Sequence, residues 1–213
     1  MANWTPMPDP FSYRTPADAV SSEWKEQGSR FIAHLSPASG AGEAMAVLQS
    51  LRRRYHDATH HCWAYRLGWA EELLSRSSDD GEPSHTAGEP ILRSLEDGGV
   101  SDASLVVVRY FGGVKLGTGG LARAYRSAAR QALEAARLQV RILTEAWSVT
   151  LPYGAQGSLR HAAAESGVEL LEQSFGEDVS LVARVPKSAA EPFRGRLERL
   201  NEQWKGAVRW KSK

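Results

Sequence analysis

The chain of 213 residues has little cysteine, little net charge and no long apolar run. Its single cysteine, Cys62, excludes an internal disulfide framework and is typical of a protein from a reducing compartment. No apolar run approaches the ~20 residues that a membrane-spanning helix requires. The N-terminus is rich in proline and lacks the basic and then apolar layout of a signal peptide. These absences predict a soluble cytoplasmic protein with no membrane partner.

The formal net charge is only +1, which excludes a uniformly basic nucleic-acid coat. Any contact with nucleic acid must therefore come from a local patch. The charged fraction of 24% and the apolar fraction of 42% are those of an ordinary globular protein. The length allows one large domain or two small ones.

The hydrophobic pattern predicts two α+β domains, residues 1–138 and 139–213. The proline-rich first sixteen residues are expected to form an extended lead-in. The first domain is predicted to have strands at 29–35, 61–69 and 106–108, a loop across 77–90, and helices at 44–55, 91–97 and 121–138. The second is predicted to follow the order βαββαβ, which is the ferredoxin-like arrangement.

The stretch VVVRYFGGVKLGTGGLARAY joins a predicted buried strand to a predicted helix through a loop dense in glycine. Glycine at this density indicates backbone with positive φ or a backbone that another group approaches closely. Lys115 lies in the loop, and Arg123 and Arg126 lie in the first turns of the helix. Since exposed N–H groups and the helix dipole favour negative charge, the stretch predicts a seat for an anionic group.

Several interpretations of this predicted anion-binding stretch are open. It is not a Walker A loop, because no GxxxxGK[ST] is present. GTGGLA fits a relaxed dinucleotide fingerprint, but Gly117 lies too far beyond the strand, and Arg137 occupies the position of the acidic ribose partner. A strand-to-helix crossover that needs glycine only for packing is the structural alternative. Contact with the phosphate of a nucleic acid is favoured.

Two other clusters suggest metal chemistry and are interpreted otherwise. The acidic loop Asp79-Asp80-Gly81-Glu82 is too short for an EF-hand, so its carboxylates are expected to cap the following helix or to pair with arginines. The histidines near Cys62 lack an HExxH motif or a second ligand pair, and Cys62 itself is expected to be an inert core residue. We therefore predict no metal, no cofactor and no catalytic residue.

The last predicted strand interleaves basic and aromatic side chains. It carries Lys205, Arg209, Lys211 and Lys213 around Trp204 and Trp210. Such a pattern suits base stacking on single-stranded nucleic acid, and it equally suits an edge strand that lysines protect against aggregation. Both interpretations stay open.

Four segments, taken in order, resemble the IMPACT/YigZ family. They are SRFIAHL, DATHHCWAYRLG, SDDGEPSHTAGEPIL and VVVRYFGGVKLGTGGLARAY, and they span most of residues 20–138. The C-terminal stretch is similar to the smaller second domain of the bacterial members. The family loop usually reads GEPSGTAG, and here His85 replaces the glycine, which suggests that His85 itself touches ligand or solvent.

The resemblance implies a first domain like a ribosomal-protein domain and domain IV of elongation factor G, and a second domain like domain V of that factor. It implies a function linked to translation. Eukaryotic members are similar only in the first domain, so their partnership in starvation sensing is not transferred. No established catalytic role attaches to the matching positions.

We therefore predict a non-enzymatic protein that binds RNA or the ribosome and is linked to regulation of translation. Phosphates are expected to meet lysine and arginine over the glycine loop, with Tyr110 stacking on a base. The predicted phosphate-binding residues are Arg109, Tyr110, Gly112, Gly113, Lys115, Gly117, Gly119, Gly120 and Arg123, and the predicted supporting loop residues are Asp79, Asp80, Glu82, His85 and Thr86.

Two alternatives from other classes are kept. One is an enzyme of small phosphorylated substrates in which Asp79, Asp80 and Lys115 hold Mg²⁺ and a phosphate. The other is an adaptor that binds a protein partner through the C-terminal domain. The sequence does not determine the oligomeric state or whether the acidic loop neutralises Lys115.

Overall fold

The computed structural model describes residues 10–212, which contain eleven strands and five α-helices. The strands are β1 (Ser12–Pro16), β2 (Val20–Glu26), β3 (Ser29–Pro37), β4 (His60–Leu67), β5 (Leu74–Ser78), β6 (Ala103–Tyr110), β7 (Leu138–Ile142), β8 (Thr144–Leu151), β9 (Glu169–Phe175), β10 (Val179–Pro186) and β11 (Arg209–Ser212). The helices are α1 (Ala41–Arg54), α2 (Gly88–Asp97), α3 (Gly117–Ala135), α4 (Gln156–Glu165) and α5 (Ala190–Gln203).

The described chain divides into two units, so the α+β, two-domain prediction is confirmed at the level of architecture. Unit 1 contains Tyr13–Arg141, and unit 2 contains residues 10–12 together with those from Ile142 onward. The division falls inside β7, whereas the sequence pattern put the boundary at 138/139. No helix in residues 10–212 is both long and apolar enough to cross a lipid bilayer.

Unit 1 is organised by an antiparallel sheet in the order β2-β3-β6-β4-β5. The central strand β6 is buried at every position except Tyr110, which suits its run of β-branched valines. Strands β2 and β3 form a hairpin whose turn residues, Gln27 and Gly28, have φ of 45° and 81°. Two consecutive positive φ values are those of a type I′ turn, whose twist matches the strands it joins.

Helices cover both faces of that sheet. On one face α2 and α3 bury Phe31, Leu105 and Val107 of the sheet, and the alanines of α3 permit the close approach. On the other face α1 packs Leu48 and Leu51 on the alternate positions of β6. The glycine-rich connection from β6 to α3 therefore leaves the sheet from its central strand.

Unit 2 has the order βαββαβ (β8-α4-β9-β10-α5-β11) that the sequence predicted. Its antiparallel sheet has the order β11-β8-β10-β9, so the first and third strands of the motif are neighbours. This is the topology of the ferredoxin-like split βαβ motif. Its core gathers Trp147, Phe193 and Leu197 between the sheet and the two helices.

The sequence pattern missed four strands, β1, β2, β5 and β7. Strand β1 lies within the segment predicted to be an extended lead-in. Residues 1–9 of that segment lie outside the described range. Strands β2 and β5 lie at the two edges of the sheet, where one half-exposed face allows polar residues. Helix α3 begins at Gly117, four residues before the predicted start at Leu121. The first turn of a helix can form without apolar side chains, so its glycines did not indicate a helix although glycine has a low helix propensity.

Candidate nucleic-acid interface

The connection between β6 and α3 is an exposed loop in which apolar and basic side chains face solvent. Phe111 is 47% exposed and Val114 is 50% exposed, and Lys115 is exposed as well. The backbone N–H of Phe111 donates to Thr59 Oγ1 at 3.1 Å. The next N–H, from Gly112, donates to Ser29 Oγ at 3.2 Å. The base of the loop is therefore fixed while its tip is open.

The fold itself requires three of the glycines in this stretch. A Cβ on Gly112 would overlap the backbone of Gly28 and Ser29 in the β2–β3 turn, so the close approach there is made by the protein itself. Gly113 and Gly117 have φ of +87° and +67°, values that disfavour any side chain. Gly119 differs, because a Cβ there would meet only the tip of Arg123 at 3.4 Å. Packing does not explain Gly119.

The two helices on this face begin differently. At α2, the Asp79 carboxylate accepts backbone hydrogen bonds from His85, Ala87 and Gly88 at 2.8–2.9 Å. Burial alone would raise the pKa of Asp79, but these three bonds outweigh it, and the pKa is lowered. The first turn of α3 has neither a capping side chain nor an acidic residue. Its leading N–H groups therefore keep the positive potential of a free helix N-terminus.

A line of arginines continues from that N-terminus along α3. Arg123, Arg126 and Arg130 follow at spacings of three and four residues and so share one side of the helix. Over seven residues the line extends ~10 Å. None of the three, nor Lys115, forms an ion pair within residues 10–212. We call Lys115 and these three arginines the α3 basic stripe.

Arg109 lies in the interior and does not reach this surface. Its side chain is only 6% exposed, and its guanidinium donates to Glu82 Oε1 at 2.6 Å. The Tyr125 hydroxyl donates to the same carboxylate oxygen at 2.7 Å. Arg109 also reaches Ser29 Oγ at 3.3 Å. The interaction with Glu82 therefore accounts for Arg109, which had been expected to meet phosphate.

The carboxylates of the acidic loop bind other groups of the protein, and none of them forms an ion pair with Lys115. Asp80 Oδ1 accepts from Arg52 at 2.6 Å, and Asp80 Oδ2 accepts from the backbone N–H of His61 at 2.7 Å. With Asp79 at the start of α2 and Glu82 on Arg109, each carboxylate has a local partner. This geometry matches the expectation that the loop caps a helix and pairs with arginines.

The other predicted site residues have local structural contacts. The Tyr110 hydroxyl donates to Asp57 at 2.8 Å, and the Arg30 guanidinium lies 4.6 Å from the centre of its ring. The Arg109 guanidinium lies 5.5 Å from the centre of the Phe111 ring, but Phe111 is the more exposed of the two aromatic residues. Thr86 Oγ1 donates to the carbonyl of Pro83 at 2.6 Å. His85 has φ of 64°, which explains why glycine is usual there.

Cys62 and its neighbouring histidines form part of the interior. Cys62 is fully buried, its thiol donates to the carbonyl of Asp79 at 2.9 Å, and burial raises the pKa of the thiol. His60 Nδ1 lies 2.8 Å from the carbonyl oxygen of Asp80. In the part of the chain that the structure describes, no three His, Cys, Asp or Glu side chains form a set that could hold a metal ion.

The aromatic residues near the C-terminus also contribute to a core. Trp204 and Trp210 are only partly exposed and pack against the buried cluster of unit 2. Arg209 lies 3.3 Å from the carboxylate of Asp178. These tryptophans offer less surface for base stacking than their sequence pattern suggested, and Lys213 lies outside the described residues.

Comparison with known proteins identifies both units. Residues 27–133 match the model of the Impact N-terminal domain, and residues 149–200 match a domain of unknown function, DUF1949. The IMPACT family member YigZ of Escherichia coli is 32% identical over 187 residues, covering 87% of this chain and 92% of that protein. Protein IMPACT of Rattus norvegicus is 32% identical over 112 residues, covering 51% of this chain and 35% of that one.

A solved structure is similar to this chain as well. The crystal structure of a hypothetical protein matches with a TM-score of 0.63 and 31% identity, covering 93% of this chain and 96% of that one. The match extends over both units. The chain therefore belongs to the IMPACT family, with an Impact N-terminal domain followed by a DUF1949 domain.

Proposed function

We propose that the protein is a non-enzymatic binder of RNA, with the ribosome as its target and a role linked to translation. The observation that carries the proposal is the α3 basic stripe at the uncapped N-terminus of α3. Its four cations form no ion pair within residues 10–212. A run of phosphates supplies the counter-charge, and the helix N-terminus supplies further donors.

The contacts are assigned to residues as follows. Lys115, Arg123, Arg126 and Arg130 meet phosphates, and the bare backbone at Gly119 lets a phosphate approach the first turn of α3. Phe111, exposed beside Lys115, offers a ring for an unstacked base. Because a base can stack on it only when unpaired, the preferred ligand is a single strand or a loop. Arg109 receives no ligand contact.

The enzyme alternative has less support. It requires Asp79 and Asp80 to coordinate Mg²⁺, yet the first is hydrogen-bonded to the start of α2 and the second is paired with Arg52. The names of the IMPACT relatives refer to no reaction. An adaptor role for unit 2 stays a prediction.

The test is binding of the full chain to a fluorescently labelled single-stranded RNA and to purified ribosomal subunits. The variant Lys115→Ala/Arg123→Ala is expected to bind each at least ~10-fold more weakly, since two charge-assisted phosphate contacts are lost. Phe111→Ala is expected to weaken binding to single strands more than to duplex RNA.

Arg53→Ala is the matched control. Arg53 is an exposed arginine of the same unit without an ion pair, but it lies on α1, against the opposite face of the sheet. It should bind like the wild type. If the double variant binds as well as Arg53→Ala, the α3 basic stripe is not the RNA contact and the proposal fails.

A further inference from the structure

A polar cavity lies on the opposite face of the unit 1 sheet from the α3 basic stripe. It has a volume of about 350 Å³ and opens between α1 and the edge of the sheet formed by β2 and β3. Ligand sites begin at about this volume. The polar side chains that line it are Ser21, His34, Ser36, Ser50 and Arg54.

These side chains come from three elements, β2, β3 and α1, which the fold brings together. Ser21 of β2 pairs directly with His34 of β3, and Ser36 follows two residues later on the same face. Ser50 and Arg54 are four residues apart on α1, so both project toward the sheet from one side of the helix. The grouping is therefore fixed by sheet register and helix period, not by a flexible loop.

His34 supplies an independent sign of a missing partner. Its residue is 9% exposed, and its Nε2 is buried without a hydrogen-bond partner. A buried polar atom in that condition costs about 1–3 kcal/mol, so such atoms are normally satisfied by a ligand or by water. Burial, and next the positive charge of Arg54, lower the pKa of His34 to about 4. The imidazole is neutral at pH 7, and the surroundings are electropositive.

The remaining lining groups point to one kind of ligand. Ser21, Ser50 and Arg54 are exposed, and Ser36 is half-buried. Within residues 10–212 the three serine hydroxyls make no hydrogen bond and Arg54 forms no ion pair, so these groups are available to a ligand. No carboxylate lines the cavity. The set offers a guanidinium fork, three hydroxyls and an imidazole. A carboxylate with two oxygens leaves part of this set unused, whereas a phosphate monoester has three terminal oxygens.

We propose that this cavity binds the phosphate group of a small phosphorylated molecule. Arg54 provides the charge, the serines provide hydroxyl donors, and His34 closes the inner wall. The volume exceeds that of phosphate alone and leaves room for a compact organic part. This site is separate from the α3 basic stripe and does not depend on RNA binding.

The experiment titrates inorganic phosphate into the full-length protein and follows the His34 imidazole by NMR, with calorimetry alongside. Phosphate is expected to bind saturably in the millimolar range and to raise the pKa of His34 by about one unit, because a nearby anion favours imidazolium. Arg54→Ala should weaken binding at least ~10-fold. Arg53→Ala and Lys115→Ala should leave it unchanged.

Three results would overturn the proposal. They are the absence of saturable binding, an equal loss in Arg53→Ala and Arg54→Ala, and acetate binding as tightly as phosphate. Because Arg54 lies at the exposed end of α1, circular dichroism of its variant should match the wild type. Ser36→Ala is a second, less perturbing variant and should weaken phosphate binding without changing the thermal midpoint.

Discussion

The buried pair Glu82–Arg109 predicts a large stability loss on a conservative substitution. In Glu82→Gln the shape is kept, and the Tyr125 hydroxyl still finds an acceptor, but the Arg109 guanidinium loses its counter-charge. The two side chains are 4% and 6% exposed, and their atoms lie 2.6 Å apart. Breaking a buried ion pair by removing one partner costs about 3–5 kcal/mol, because the remaining charge stays desolvated.

An exposed pair with the same separation provides the control. Arg137 and Asp18 are also 2.6 Å apart, but their side chains are 77% and 70% exposed. Asp18→Asn should therefore cost less than about 1 kcal/mol. Removing both charges in Glu82→Gln/Arg109→Met should cost clearly less than the two single substitutions together, because no unpaired charge remains.

The assay is urea unfolding followed by circular dichroism. Hydrogen exchange of peptides from β6 and α3 assigns the loss to unit 1. We expect the midpoint of thermal unfolding to fall by ~10 °C for Glu82→Gln. A loss no larger than that of Asp18→Asn, or a double variant whose loss equals the sum of the single losses, would refute the view that Glu82 and Arg109 form a buried ion pair that stabilises unit 1.

Three further predictions concern backbone and pH. Gly112→Ala should destabilise unit 1 by about 2 kcal/mol or more, because the added Cβ overlaps the backbone of Gly28. Gly119→Ala should leave the free energy of unfolding unchanged or slightly raised, and it should weaken RNA binding. Equal urea midpoints for the two variants would contradict the packing argument. His34 has a pKa of about 4 in the folded protein against 6.5 in the unfolded chain, so the unfolded state binds the proton more readily. The free energy of unfolding should therefore fall by about 2 kcal/mol as the pH drops from 6.5 to 4. In phosphate-free buffer this loss should shrink in His34→Gln, and a variant whose stability depends on pH as the wild type's does would contradict the prediction. His85→Gly should raise the midpoint of thermal unfolding slightly, because the φ of 64° at this position suits glycine. The contact of His85 with Glu89 is exposed, so its loss should cost little. A lower midpoint would show that the His85 side chain stabilises the protein.

Sequence reasoning recovered those elements whose pattern reflects burial. The βαββαβ order of unit 2 and the strands around Val106 and Phe31 were predictable because apolar residues repeat with the period of each element. The edge strand β2 was not, because its half-exposed face carries polar and charged residues such as Ser21, Glu23 and Lys25. Edge strands are specified by pairing with a neighbour, which no local pattern encodes.

The candidate site was predictable in part. Glycine density marked the loop correctly, but spacing alone could not separate Gly112, needed for packing against Gly28, from Gly119, which packing does not explain. Arg109 was assigned to the surface because its partner Glu82 is 27 residues away in sequence. Arg126 and Arg130 were not among the predicted phosphate-binding residues, although helical spacing from Arg123 places them on its side of α3.

The central claim is that phosphates bind the α3 basic stripe, and the salt dependence of RNA affinity tests it most directly. For a single strand, each neutralised phosphate contributes ~0.7 to the slope of log affinity against log salt. Lys115→Ala and Arg123→Ala should each lower the slope by about that amount, while Arg53→Ala leaves it unchanged. A slope that is the same in all four proteins would contradict the claim.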